Sequence, residues 1–127
     1  MDDITFGVVD GPVFVRRDAR GVFEELVNTG RWESCIHGLM VAGSEIGHHY
    51  HAYTVVAYFL LAGRARITTL DVNTRERTQV EIAAGQGFVF RPSQARVVHH
   101  LEESRFLLLK APAFDPAKPD LIAYRVD

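Results

Sequence analysis

The chain has 127 residues, 47% of them hydrophobic and 24% charged, with a net charge of −2. That is enough for one domain with a real hydrophobic core, and it holds no basic block of the kind that nucleic acid or an anionic membrane surface attracts. The longest apolar run, around residues 55–62, falls far short of the roughly 20 residues of a membrane span, and no charged-then-apolar signal segment opens the chain.

Taken in order, the sequence is a series of short apolar runs cut by Gly, Pro, Asn and Asp. GPVFVRRDARGVFEELV reads as two strands around a turn at Asp18–Gly21, with Arg20 and Glu25 placed to pair across the hairpin. SCIHGLMVAG alternates apolar and polar residues and ends on Gly43; its Cys35 is the only cysteine. One cysteine excludes an internal disulfide framework and predicts a cytoplasmic protein, with Cys35 as a small buried hydrophobe. His37, in the same alternating run, is a candidate for an inward position. Residues 54–82 read as strand, turn at Ala62–Gly63, strand, loop at 73–76, strand. FVF, ARVVHH and RFLLLKA follow as three more. Runs of four to eight residues rich in Val, Ile, Phe, Tyr and Thr, with turn signals every eight to twelve, predict an all-β sandwich or barrel. The tail APAFDPAKPDLIAYRVD carries three prolines and is expected to be extended, packing over the barrel or a partner subunit. The division is a single domain over 1–127, with N-terminal strands at 4–27, a core at about 36–111 and the tail at 112–127.

The chemistry concentrates in GHHYHAY, residues 47–53, which holds three of the six histidines. In a strand, alternate residues share a face. His49 and His51 therefore point one way and Tyr53 continues the row, while His48 and Tyr50 point the other. Two imidazoles at i and i+2 suit a metal site or an acid–base pair, since histidine titrates near neutral pH. A transition metal normally needs at least three protein ligands.

The spacing from Gly43 through His49, His51 and Val56 to Gly63 resembles the first motif of the cupins, G(x)5HxH(x)3–4E(x)6G, with Val56 at the position of the metal-binding glutamate. The second motif, G(x)5PxG(x)2H(x)3N, falls on Gly85, Arg91, Ser93, Arg96 and His100; only the glycine matches, and Arg96 stands at the histidine. The opening RDARGVFEEL, with Asp18, Arg20, Gly21 and Glu25, is similar to cupins that epimerise or isomerise nucleotide-linked deoxysugars. Gly47, His49 and His51 resemble the G-x-H-x-H of the 3,4-ketoisomerase branch. Those enzymes carry an Arg before that glycine where this chain has Ile46, which tilts the expected substrate away from a nucleotide sugar.

The resemblance implies a double-stranded β-helix, the jelly-roll barrel of the cupins, and a homodimer formed through edge strands. It also implies that the usual metal site keeps two of its four ligands, since valine cannot ligate and a guanidinium repels a cation. The expected function is a cofactor-free isomerase, epimerase or cyclase acting on a carbonyl-containing sugar or a polyketide-like metabolite. His49, His51 and Tyr53 form the expected catalytic set, and Arg96, His100, Tyr58 and Val56 the expected substrate contacts. His51 or His49 moves a proton, Arg96 supplies fixed positive charge for an anion or enolate, and Tyr53 or Tyr58 is the opposite acid. One alternative is a metal-dependent dioxygenase or lyase with a divalent transition metal on His49, His51 and His100, or on His99 if a bulge shifts the register. The other is a ligand-binding cupin without catalysis. Arg64 and Arg66 are expected on a solvated sheet face, and His48 on the outside or at an interface.

Overall fold

Twelve strands form from this rhythm of short apolar runs in the structure, a computed structural model that describes residues 4–126. They are β1 (Gly7–Val9), β2 (Phe14–Asp18), β3 (Gly21–Glu25), β4 (Ser34–Met40), β5 (Glu45–His51), β6 (Val55–Ala62), β7 (Arg64–Asp71), β8 (Arg77–Ala83), β9 (Gly87–Phe90), β10 (Gln94–His100), β11 (Ser104–Ala111) and β12 (Leu121–Ala123). Two antiparallel sheets, ordered β1-β9-β6-β11-β4 and β12-β5-β10-β7-β8, make the barrel, and β2 and β3 pair as a separate hairpin. This is the double-stranded β-helix of the cupin class.

The inner faces of the sheets meet in a core centred on Tyr58, Leu60, Ile67, Phe88, Phe90 and Phe106. The run VVAYFLL in β6 is apolar throughout because both of its faces are covered. Tyr58 and Leu60 face inward, while Ala57 and Phe59 lie under Ile4, Val9, Leu26 and Trp32 from the N-terminal segment. The outer face of the second sheet is covered in turn by the C-terminal segment, where Tyr124 and Val126 pack on Ala95 and Val97.

Three expectations change here. Cys35 is exposed rather than buried, and His37 is exposed rather than inward. Both follow from the parity of β4, an edge strand whose inward positions include Ile36 and Gly38; a Cβ on Gly38 would lie 2.2 Å from the Phe106 ring. In the hairpin, Arg20 reaches back two residues to Asp18, at 2.5 Å, instead of across to Glu25. The tail turns where the Lys118 amide donates to the Asp115 carbonyl at 3.0 Å and then adds a strand, since β12 pairs with β5 in the register Leu121–His51 and Ala123–His49. Arg64 lies on an exposed face, paired with Glu81 and Glu102, and Arg66 is exposed as well.

Candidate active site

The site begins with a bulge in β5. Arg96 of β10 lies opposite His49, but its neighbour Val97 lies opposite Gly47, so His48 is an extra residue with no partner in the ladder. The backbone needs glycine beside it. Gly47 has φ +129°, and a Cβ there would lie 2.4 Å from the Arg96 carbonyl oxygen. The bulge turns His48 outward, where its Nε2–H donates to Glu45 at 3.3 Å and its Nδ1 accepts the Val126 amide at 3.1 Å. His99 is held by the same Glu45 carboxylate at 3.3 Å on the outer face.

His49 and His51 both face a cavity of about 300 Å³ between the two sheets, with ring centroids 5.6 Å apart and planes at 85°. His49 Nδ1 lies 3.1 Å from the Gly47 carbonyl, so this nitrogen carries the proton and Nε2 keeps its lone pair. His51 Nδ1 lies 3.2 Å from Asp120 Oδ1. The Asp120 carboxylate also accepts the amides of Tyr53, at 3.0 Å, and Thr54, at 2.8 Å. Burial alone would raise this carboxyl, but the Tyr53 amide, His51 and Thr54 outweigh it and hold it at about 2. A charged Asp120 fixes the His51 tautomer with Nδ1 protonated and Nε2 free to accept a proton. Burial lowers His49 to about 4, with the Arg96 charge as the second cause, and burial likewise lowers His51 against the opposing pull of Asp120. Both rings are therefore neutral at neutral pH.

Arg96 is inward and 3% exposed. Its Nε–H donates to the Gln94 carbonyl at 3.0 Å, and its guanidinium carbon lies 4.4 Å from the centre of the Phe90 ring. Burial lowers it to about 9, which still leaves it charged at neutral pH. Among the described residues no carboxylate lies within ion-pair distance of it.

Other expected site residues fall differently. Val56 lines the cavity. Tyr58 lines it too, but its hydroxyl is committed to His100 Nε2 at 2.9 Å and burial raises its pKa, so it is not poised as an acid. His100 is fully buried outside the cavity lining, with Nδ1 donating to the Ser44 carbonyl at 3.2 Å; it braces the core instead of touching substrate. Tyr53 does not continue the row of His49 and His51. β5 ends at His51 and the chain bends at 52–53, so the alternation stops. Tyr53 is 45% exposed, and its hydroxyl donates to the Lys118 carbonyl outside the cavity.

The ligand set His49, His51 and His100 is not assembled, because both ring nitrogens of His100 are engaged elsewhere. No group of three or more His, Cys, Asp or Glu side chains among the described residues is placed to hold a metal. Val56 and Arg96, which line the same cavity, supply no metal-ligating atom.

Sequence reasoning missed Asp120. It lies 69 residues from His51 in a tail whose prolines signalled only extension, and the one available clue was the apolar triplet after it, which forms β12. It also missed Lys110, Phe114 and Leu121, which line the cavity.

The family model described as polysaccharide biosynthesis C-terminal domain matches residues 16–122. No curated protein matches the chain. Among solved structures, the QdtA 3,4-ketoisomerase from Thermoanaerobacterium thermosaccharolyticum, in complex with TDP, is 17% identical with a TM-score of 0.73, and the match covers 94% of this chain and 89% of that one. The RmlC dTDP-6-deoxy-D-glucose-3,5-epimerase from Legionella pneumophila Philadelphia 1, in complex with dTDP-4-keto-L-rhamnose, is 16% identical with a TM-score of 0.74, covering 91% of this chain and 70% of the other. The capsular polysaccharide assembling protein CapF from Staphylococcus aureus is 20% identical with a TM-score of 0.67; the match covers 91% of this chain and only 33% of CapF, so the chain spans about a third of CapF's length. At these identities the likeness is one of fold.

Proposed function

The chain belongs to the polysaccharide biosynthesis C-terminal domain family, and from that footing we propose that it is an isomerase or epimerase acting on a carbonyl-containing sugar. The observation that carries this reading is the His51–Asp120 pair, opening on an apolar cavity beside the buried cation of Arg96. His51 Nε2 removes the proton from the carbon next to the carbonyl. The electron pair left behind forms the enolate, whose oxygen is stabilised by Arg96. Asp120 stabilises the imidazolium formed on His51, which returns the proton to a carbon of the enolate. No electron leaves the substrate, and the step uses no cofactor. Neutral His49, with Nε2 free, relays a proton between neighbouring oxygens where the carbonyl changes place.

Membership of a polysaccharide biosynthesis family supports a sugar over a polyketide-like metabolite. The structural neighbour in complex with dTDP-4-keto-L-rhamnose supports a keto-sugar class, while Ile46 in the cavity wall supplies no charge for a nucleotide. The test is exchange of the α-proton of a 4-keto-6-deoxysugar derivative in D2O, followed by NMR. Exchange in the native protein that disappears in His51→Asn supports the reading. Equal exchange in the two proteins would overturn it and favour the non-catalytic ligand-binding alternative.

A homodimer is part of this proposal. Every residue of β2 and β3 is exposed, including Phe14, Val15, Val22 and Phe23. An isolated two-stranded hairpin is marginal in water, so a second copy is the natural cover for the face that carries Phe14 and Phe23. Sedimentation should show a dimer that Phe14→Asp with Phe23→Asp converts to monomer. A cytoplasmic location is consistent with the exposed thiol of Cys35. No helix among the described residues is long and apolar enough to cross a membrane.

A further inference from the structure

Two cations face one cavity from opposite sheets, and only one of them is used by the chemistry proposed above. Arg96 comes from β10 in the second sheet, and Lys110 from β11 in the first. Both line the cavity, where Asp120 is the one acidic residue among the described lining residues. Asp120 is already committed to His51 and to the amides of Tyr53 and Thr54. Lys110 itself has no carboxylate within 4 Å and no side-chain hydrogen bond among the described residues; its backbone alone is paired, across to β4 and β6. With both imidazoles neutral, the cavity carries a net positive charge within a mainly apolar wall. Unpaired charge in such a wall costs stability, and a charge kept at that cost points to a ligand of the opposite sign.

The position of Lys110 separates its role from that of Arg96. Along the inward face of β11 run Phe106, buried in the core, then Leu108, then half-buried Lys110, and the chain continues to Pro112 and to Phe114, which is 70% exposed. At about 6.6 Å per pair of residues, Lys110 stands between the closed end and the mouth. Arg96 is locked by the Gln94 carbonyl and the Phe90 ring, a fixed cation suited to charge that develops during reaction. Lys110 is an unrestrained ammonium on a flexible stem, suited to charge the substrate already carries.

We infer that Lys110 is a substrate-binding residue and that the sugar accepted by this cavity bears a permanent anionic group, phosphoryl or carboxylate, held by Lys110 near the mouth. The inference rests on the sugar isomerase reading and deepens it.

The test uses three monosaccharide probes: glucose 1-phosphate, methyl glucuronide and neutral methyl glucoside. Binding to the native full chain is followed through the imidazole NMR signals of His49 and His51. One of the anions should bind about tenfold or more tighter than methyl glucoside. Lys110→Met should lose at least that factor, Lys110→Arg should recover most of it, and added salt should weaken the native interaction. A preference for the phosphate ester identifies a phosphorylated sugar, and a preference for the glucuronide identifies a uronic acid derivative. The inference is overturned if the neutral glycoside binds as well as both anions, if Lys110→Met binds the anion unchanged, or if neither anion binds. A lysine that only extends to solvent at the mouth gives the second of these results. The α-proton exchange lost in His51→Asn is read separately, so either reading can fail while the other stands.

Discussion

Replacing Asp120 by Asn tests the proposed site at its least obvious member. The carboxylate accepts three hydrogen bonds, from His51 and from the amides of Tyr53 and Thr54, and its side chain is 9% exposed. The carboxamide has one acceptor oxygen, and its NH2 must then face a donor, either the His51 Nδ1–H or an amide. If the ring flips its tautomer to accept from the amide, Nε2 carries the proton and can no longer act as a base. In a triad, the same change costs a factor of about 10⁴ in turnover; with His51 backed by a single carboxylate, a loss of about 10²–10⁴ is expected. Stability falls too. The drop from 3.8 to about 2 in the folded chain is worth roughly 2 kcal/mol of preference for the carboxylate, or about 6–10 °C in Tm for a domain of this size. The contribution is full above about pH 4 and is lost as pH falls from there to about 2, so the variant should lack that acid limb. Thermal melts between pH 2 and pH 7 and single-turnover rates at pH 7 measure both effects. A variant with native turnover and a native acid limb would show that Asp120 does not orient His51.

Three further outcomes are expected. Burial holds His49 at about 4 against an ordinary 6.5, so stability is full above about pH 6.5 and falls as pH drops toward 4; His49→Asn should flatten this limb in urea melts, and an unchanged limb would refute the assignment. Arg96→Met should cut turnover about 100-fold or more while leaving Tm equal or higher, because it replaces a lone buried cation with an apolar chain; a loss of about 3–5 kcal/mol would instead mark a broken ion pair. Gly47→Ala places a Cβ 2.4 Å from the Arg96 carbonyl oxygen at a φ of +129° and should destabilise by more than about 2 kcal/mol, with calorimetry as the measure.

The barrel was legible in the sequence because local signals and global fold agree. Gly63 and the 73–76 loop fall where the strands turn, and the double covering of β6 shows as an unbroken apolar run. The facing of His49 and His51 was legible for the same reason, since two residues of one strand need no long-range information. Alternation failed at Tyr53 because it holds only while the strand lasts, and β5 ends two residues earlier. Burial of Cys35 was misread because an edge strand keeps the periodicity of a core strand while leaving one side uncovered. His100 kept the inward parity expected of it, yet Tyr58 and the Ser44 carbonyl absorb both its nitrogens, a pairing across two strands that no spacing rule contains. Asp120 reaches the site only because three residues of the tail dock as β12 against β5, and that docking depends on the finished barrel.

That late docking sets an order in time. On the ribosome, the two histidines and Arg96 emerge well before the carboxylate that gives His51 its tautomer. A chain interrupted after Ala111 would have both imidazoles and every strand of the barrel except β12, and it would have no Asp120. Proteolysis in the exposed 114–119 segment would cut the peptide connection that holds Asp120 to the rest of the barrel. Chemical competence would thus act as a check that the whole of this stretch has been made and kept.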